Sequence, residues 1–416
     1  MATSSQASSS VALLVGATGI VGRELLSQLM AASSDEWPTV YAVTRRSATD
    51  TVNELSVELQ SDKASAQRIQ WVTLDLSDSA QARDFQLPAE WLSRPPTHLF
   101  FAGLVSGSKF PTGSREEYDV NVALLENALA LVSKWFGGDA ARVNENLNVV
   151  LVTGGKAYGV HLPLEIYPDY KPVFHEDAPR HPQPPFNFYY GQEDLLAERG
   201  VRWCNFRPER ILSPIVGHVY SHLGTLAVYA SVQKKRGRKL FYPGTAESLD
   251  GRFTVVSGDL VAKAMLWAAH TGQCTRPGRS FNVSNGDLVT MRSLWTHVAQ
   301  LYQLELILPT TESTSVSDSS TTPDWSVSDE VRRVWTELRA THRLERAPID
   351  IAPVYNWVYI APSVAVRDAI PCVDRIRAAG FLEERSSLAE VTRLLNRMVD
   401  LLLVPDPNRL WRFNPF

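Results

Sequence analysis

The sequence predicts an α/β protein, a doubly wound parallel sheet with a smaller, mainly helical C-terminal part. Three observations carry that expectation. Short apolar runs alternate with polar or helix-patterned segments up to about residue 215, as parallel strands joined by helices require. The first run ends in a glycine cluster, Gly16, Gly19 and Gly22, that opens an amphipathic stretch. Beyond about residue 215 the alternation weakens and becomes mixed, with helical stretches near the C-terminus.

The elements follow in order. Val11 to Val15 reads as the first strand and Arg23 to Ala32 as the helix after the glycines. Val40 to Thr44, Ile69 to Leu74 and His98 to Ala102 read as further strands. Asn121 to Trp135 repeats apolar residues near a 3.6 period at Val122, Leu125, Leu129 and Val132, so it should pack as a helix on the sheet. Asn148 to Val152 supplies another buried strand. The proline-rich stretch 161–190 forbids regular helix and predicts a long loop across the mouth of a site, with a helix restarting near Tyr190 to Arg199. Val331 to Leu338 and Leu388 to Leu403 read as helices. Residues 11–215, with later contributions around 250–290, are expected to form the nucleotide-binding unit, and 216–416 the substrate-binding part. A Ser/Thr-rich exposed loop is expected at 310–324 and a disordered tail at 1–10.

The composition excludes several classes. Charged residues are 21% and apolar residues 44% of the 416, which fits a folded chain with a sizeable core. Lys and Arg number 41 against 45 Asp and Glu, a net charge of −4, so no overall basic field exists to hold a nucleic acid or an anionic membrane. Cys204, Cys274 and Cys372 are odd in number and widely spaced, against a disulfide framework or structural zinc, and fit a reducing compartment. No apolar run reaches the ~20 residues of a membrane span, and the polar start is unlike a secretory signal. The expectation is a cytoplasmic protein with a small-molecule partner, in which a homodimer is possible.

In GATGIVG the chain must turn sharply from strand to helix while its backbone approaches a pyrophosphate, with the helix N-terminus facing the phosphates. Gly16, Thr18, Gly19, Ile20, Val21 and Gly22 are the expected contacts of a dinucleotide. The second strand ends Thr44, Arg45, Arg46 with no carboxylate to bind a ribose hydroxyl, so cationic pairing with a 2′-phosphate predicts NADP(H) over NAD(H). Asp75 and Leu76 close the third strand where an adenine edge would lie, and Ala102 and Gly103 close the fourth on the nicotinamide side.

Hydride addition to a carbonyl or a conjugated enone builds charge on oxygen and calls for a hydrogen-bond donor there, commonly a tyrosine beside a cation. The helical YxxxK arrangement is broken here, because Asp194 stands four residues after Tyr190. A lysine is offered elsewhere: the strand ending at Val152 runs into Thr153, Gly154, Gly155 and Lys156, at a strand end where ligand chemistry gathers. Tyr190 and Lys156 are the expected catalytic pair. Tyr189 reads as a packing residue, since neighbours on a helix point different ways. Gly154 occupies the position where a second hydroxyl donor is often found, so the tyrosine would act nearly alone.

These residues bring a family into view. GATGIVG at 16–22, the arginine pair 45 and 46, TGGKAYG at 153–159, NFYYGQEDLL at 187–196, FRPERI at 206–211, FYPGT at 241–245 and NVSNGDLVTMRSLW at 282–295 stand in the same order as in one group. The chain resembles the progesterone 5β-reductase and iridoid synthase-like (PRISE) family of atypical extended short-chain dehydrogenases/reductases. It departs at Val152 and Ala157, where the family usually has Gln and His. The resemblance implies a Rossmann-type fold and NADPH-dependent reduction of an activated carbon–carbon double bond. It also implies a catalytic Tyr and Lys at Tyr190 and Lys156, with Ile211 among the cofactor contacts. The expected substrate is an apolar small-molecule enone. Carbonyl reduction, a redox-neutral rearrangement and a non-catalytic NADP(H) sensor are the rival readings on the same fold.

Other features have plainer readings. His218 and His222 are four apart but lack a third ligand, so no metal is expected. KKRGRK at 234–239 reads as a solvated connection in preference to a polyanion patch. Trp325, Trp335 and Trp357 are candidates to wall an apolar substrate cavity, with core packing the alternative.

Overall fold

The computed structural model describes residues 10–49, 51, 55, 67–105, 110–217, 220–309, 328–351 and 367–410. Its strands in chain order are β1 (Val11–Val15), β2 (Thr39–Thr44), β3 (Ile69–Thr73), β4 (His98–Phe101) and β5 (Asn148–Val152). They continue with β6 (Val173–Phe174), β7 (Arg202–Pro208), β8 (Ile211–Leu212), β9 (Leu240–Phe241), β10 (Val256–Ser257), β11 (Arg279–Val283), β12 (Leu306–Ile307) and β13 (Ile370–Pro371).

A seven-stranded sheet in the order β11-β7-β5-β4-β1-β2-β3 forms the centre, and all its pairings are parallel. The registers set Val15 beside Phe101 and Val43, so the carboxyl ends of β1, β2 and β4 lie level. The order reverses between β1 and β4, the kind of crevice in which open parallel sheets bind ligands. Five-residue runs such as VALLV are buried throughout because helices cover both faces. Ala12, Leu14, Phe100 and Phe206 pack under the helices Ile20–Ala31 and Gly258–His270. Leu13, Phe101 and Leu151 pack under Arg115–Trp135 and Phe188–Arg199.

The outermost strand, β11, comes from well beyond residue 215 and extends the sheet next to β7. Around it the helices His222–Lys235, Met291–Tyr302, Asp329–His342 and Ser387–Asp400 bury a second core with Trp295, Trp335 and Tyr229 at its centre. Trp335 is fully buried and its indole N–H donates to the Pro348 carbonyl at 2.8 Å, so it is a packing residue and not a cavity wall. Trp325, Trp357, the 310–324 stretch, His218 and residues 1–9 lie outside the described residues.

The KKRGRK run is neutralised locally: Lys235 pairs with Glu337 and Lys239 with Glu305, each at 2.6 Å, and Arg236 pairs with Glu330. Cys204 and Cys274, seventy positions apart in sequence, are buried free thiols whose sulfurs approach to 3.1 Å. Among the described residues no helix is long and apolar enough to cross a membrane, and no group of three His, Cys, Asp or Glu could hold a metal.

Candidate active site

A cavity of about 640 Å³ opens at the carboxyl ends of the central strands. One end is built almost wholly by backbone. Gly16 has φ +83°, and a Cβ on it would stand 2.5 Å from the Ala102 carbonyl oxygen, so the turn after β1 lies against the end of β4 only as glycine. A Cβ on Gly22 would lie 2.0 Å from the Gly16 carbonyl oxygen. Gly22 therefore seats the helix on the turn and, unlike Gly16, Thr18, Gly19, Ile20 and Val21, does not line the cavity. Its expected role as a cofactor contact is corrected to one of packing.

The helix beginning at Ile20 has no side-chain cap and no acid in its first turn. Its first amides are thus left to an anion, which is the fit a pyrophosphate needs. Arg45 and Arg46 line the same end and are exposed. Asp75 and Leu76 lie on the wall too, the Asp75 carboxylate accepting from the Ser77 amide at 2.9 Å and hydroxyl at 2.6 Å. Ala102, Gly103, Thr153 and Ile211 complete that side, with the Thr153 hydroxyl donating to Asn205 Oδ1 at 3.0 Å.

The other end is built by side chains from distant segments. Lys156 sits in a single helical turn, Gly155–Tyr158, after β5, and lines the cavity. Burial holds its ammonium below the ordinary lysine range, with the Glu117 carboxylate opposing. The tyrosine that shares this wall is Tyr189, not Tyr190. The Tyr189 hydroxyl lies 3.5 Å from where a Gly154 Cβ would stand, an ordinary contact distance, so the phenol sits beside the start of the lysine turn.

Tyr190 faces the interior. Its hydroxyl donates to the Ala157 carbonyl at 2.6 Å and accepts from the His181 amide at 3.1 Å. Its ring lies against His181 and under the Arg180 guanidinium, 4.8 Å from the ring centroid. Burial pushes its phenol up to about 12, against the lowering effect of the His181 amide and Arg207. Its hydroxyl thus fastens the helix to the Lys156 turn, and the structure places Tyr190, the expected catalytic residue, in the interior and off the cavity wall.

Asn187 sets that phase. It caps the helix Phe188–Arg199, its side-chain oxygen accepting from the Tyr189 amide at 3.1 Å while its side-chain nitrogen donates to the Lys156 carbonyl at 2.8 Å. One side chain therefore fastens the helix start to the lysine turn. Counting from Tyr189, Gln192 falls on the cavity face one turn later. Glu193, which replaces the lysine of a YxxxK spacing, is buried against Arg207 at 2.6 Å and Asn205 at 2.7 Å. Arg207 in turn reaches the Tyr158 hydroxyl at 3.2 Å. This buried network occupies the interior where a helix-borne lysine would lack a partner.

The wall also includes Val160, His161, Glu209, Arg210, Ile215 and His222, to which sequence reasoning gave no place in the site. Burial lowers His161 and His222 to about 3, helped by Lys156 at the first and Arg210 at the second, so both imidazoles are neutral. Two neutral imidazoles and one carboxylate give this end a polar character that an expectation of an apolar pocket did not include.

The sheet order, the glycine turn and the tyrosine–lysine wall define an extended short-chain dehydrogenase/reductase. Solved structures share the fold: an epimerase from Burkholderia cenocepacia is 16% identical with a TM-score of 0.56, covering 94% of this chain and 99% of its own. The UDP-glucose 4-epimerase of Thermus thermophilus, solved with NAD, is 14% identical with a TM-score of 0.56, covering 93% and 98%.

Within that class, residues 12–358 match the model of the PRISE-like Rossmann-fold domain, and the chain belongs to this family. The 3-oxo-Δ(4,5)-steroid 5β-reductase of Arabidopsis thaliana is 26% identical over 408 residues, 96% of this chain and 95% of that protein. An (S)-8-oxocitronellyl enol synthase of Nepeta racemosa is 30% identical over 304 residues, 71% and 68% of the two chains. The protein is an oxidoreductase of the short-chain dehydrogenase/reductase superfamily.

Proposed function

We propose that the protein uses NADPH to reduce the activated C=C bond of an α,β-unsaturated carbonyl compound, with Tyr189 and Lys156 as its catalytic pair. The observation that carries this reading is that both residues line the cavity that begins at the uncapped glycine turn. The Arabidopsis relative bears the name of a reductase of a 3-oxo-Δ(4,5)-steroid, which is an enone. NADPH, when bound, supplies a hydride equivalent for the β-carbon. The Tyr189 hydroxyl donates a hydrogen bond to the carbonyl oxygen, which gains charge as hydride arrives, and the α-carbon of the resulting enolate then takes its proton from water. A single such donor in a site closed to water is worth ~3 kcal/mol of barrier. Lys156 places a positive charge near the phenol and so favours its sharing of the proton. With glycine at 154, no second hydroxyl supports the oxygen from β5. Arg45 and Arg46 hold the 2′-phosphate, and the absence of a carboxylate at the end of β2 disfavours NADH.

The test is NADPH consumption with a panel of small and steroid-sized enones, with product identification and NADH as the control. A saturated ketone as product supports the proposal. An allylic alcohol, or turnover of the substrate without net loss of NADPH, overturns it.

A further inference from the structure

We infer that Glu209 forms an acceptor subsite at the chemical end of the cavity that selects an enone carrying a neutral hydrogen-bond donor, a hydroxyl group. This rests on the enone reading above and names the substrate class within it.

Glu209 follows Pro208 at the end of β7, and its side chain is only 4% exposed although it lines the cavity. A Cβ on Gly155 would come within 3.1 Å of the Glu209 Cγ, so the side chain lies against the turn that carries Lys156. Its only ion-pair neighbour among the described residues is Arg210, whose Nε stands 3.1 Å from Oε2. That approach lacks hydrogen-bonding direction, and Oε2 accepts no hydrogen bond. Burial raises the carboxyl above its ordinary range, with Arg210 opposing. A buried acceptor without a donor is costly to the fold unless something entering the cavity satisfies it.

The surroundings decide what enters. Arg210 flanks the position with positive charge, enough to depress the neighbouring His222 imidazole, and a cationic amine would meet it. A substrate carboxylate would meet Glu209 itself. A neutral hydroxyl satisfies the oxygen without either conflict, while Val160, Ile215 and Val216 leave the rest of the wall apolar. A site built to accept from a substrate hydroxyl discriminates strongly against the analogue that lacks it, because the acceptor is then left buried and unpaired.

The experiment measures kcat/KM for pairs of cyclic enones that differ by one hydroxyl, such as cyclohex-2-enone and its hydroxylated regioisomers. The wild-type protein should favour at least one hydroxylated member by about 100-fold. Glu209→Leu should bring that ratio to within about threefold, and Glu209→Gln, which keeps an acceptor oxygen, should retain part of it. A wild-type ratio near one for every pair overturns the inference, as does a ratio that Glu209→Leu leaves unchanged. Weakened NADP+ binding with an unaltered ratio also overturns it and assigns Glu209 to the cofactor. Thermal melts establish that each variant folds; if Glu209→Leu does not, the Gln variant carries the comparison. If no enone is reduced, the functional reading fails separately. Calorimetric titration of the protein–NADP+ complex with saturated hydroxyketones and the matching ketones then tests the subsite alone: preferential binding of the hydroxyketone supports it, and equal binding overturns it.

Discussion

The two ends of the cavity are made by different means. The dinucleotide end is a contiguous strand, turn and helix whose contacts are largely backbone, with the ends of β2, β3 and β4 beside it. The chemical end gathers Lys156, Tyr189, Glu209 and His222 from four segments, and each acts through its side chain. Backbone sites are specified by which residues lack a Cβ, so they survive as a sequence pattern. Side-chain sites depend on rotation about a helix axis, and one residue of phase moves a phenol from the cavity wall to the interior. The neighbours Tyr189 and Tyr190 show the difference: one stands on the cavity wall, the other has its hydroxyl bound on both sides within the protein.

That contrast can be broken most sharply at Tyr189. Replacing it by Phe should lower kcat/KM for the enone by about 10²–10³, or about 3–4 kcal/mol of transition-state stabilisation, measured as steady-state NADPH oxidation. Tyr190→Phe should act on the fold instead, because the Ala157 carbonyl and the His181 amide each lose their partner. A loss of about 1–3 kcal/mol in urea unfolding is expected, with turnover kept within about tenfold. Loss of turnover at unchanged stability in Tyr190→Phe would exchange the roles assigned to the two residues.

At the other end, Arg45→Ala combined with Arg46→Ala should shift the NADPH-to-NADH preference by about tenfold, or about 1.4 kcal/mol. Equal loss of both cofactors would show that the arginines do not read the phosphate. A further effect concerns acid. His98, His161 and His222 are held neutral by burial, lowered to about 4, 3 and 3 from the ordinary 6.5. Between those values and 6.5 the unfolded chain binds more protons than the folded one, so stability rises with pH through that window and is lost on acidification. Each group contributes a slope of up to about 1.4 kcal/mol per pH unit. The melting temperature should therefore fall as pH drops below about 6.5, and His161→Asn should reduce the steepness of that fall.

The glycine turn and the strands β1 to β5 were legible because burial and chain reversal leave local marks, apolar runs and residues without a Cβ. For β11 only a later contribution around 250–290 was legible and not its place beside β7, since it joins the sheet after a long excursion through the helical part. The start of the helix at Phe188 carried a usable signal: Asn187 after the proline run is a strong N-cap, and counting from it puts Tyr189 and Gln192 on one face. Without that cap the second tyrosine looks equivalent to the first. Glu209 and Arg210 were legible only as part of FRPERI, because adjacent opposite charges in a sequence read as a solvated pair and only the structure shows them walled in.

By itself the sequence determined the parallel sheet, the glycine turn after β1, the arginines beside it and the lysine at the end of β5. These are properties of short stretches, fixed by local sterics and hydrophobic pattern. Only the tertiary structure decided which tyrosine lines the cavity and that one oxygen of a buried carboxylate accepts no hydrogen bond there. Those facts depend on how distant segments rotate and pack against one another, and no local stretch encodes that relation.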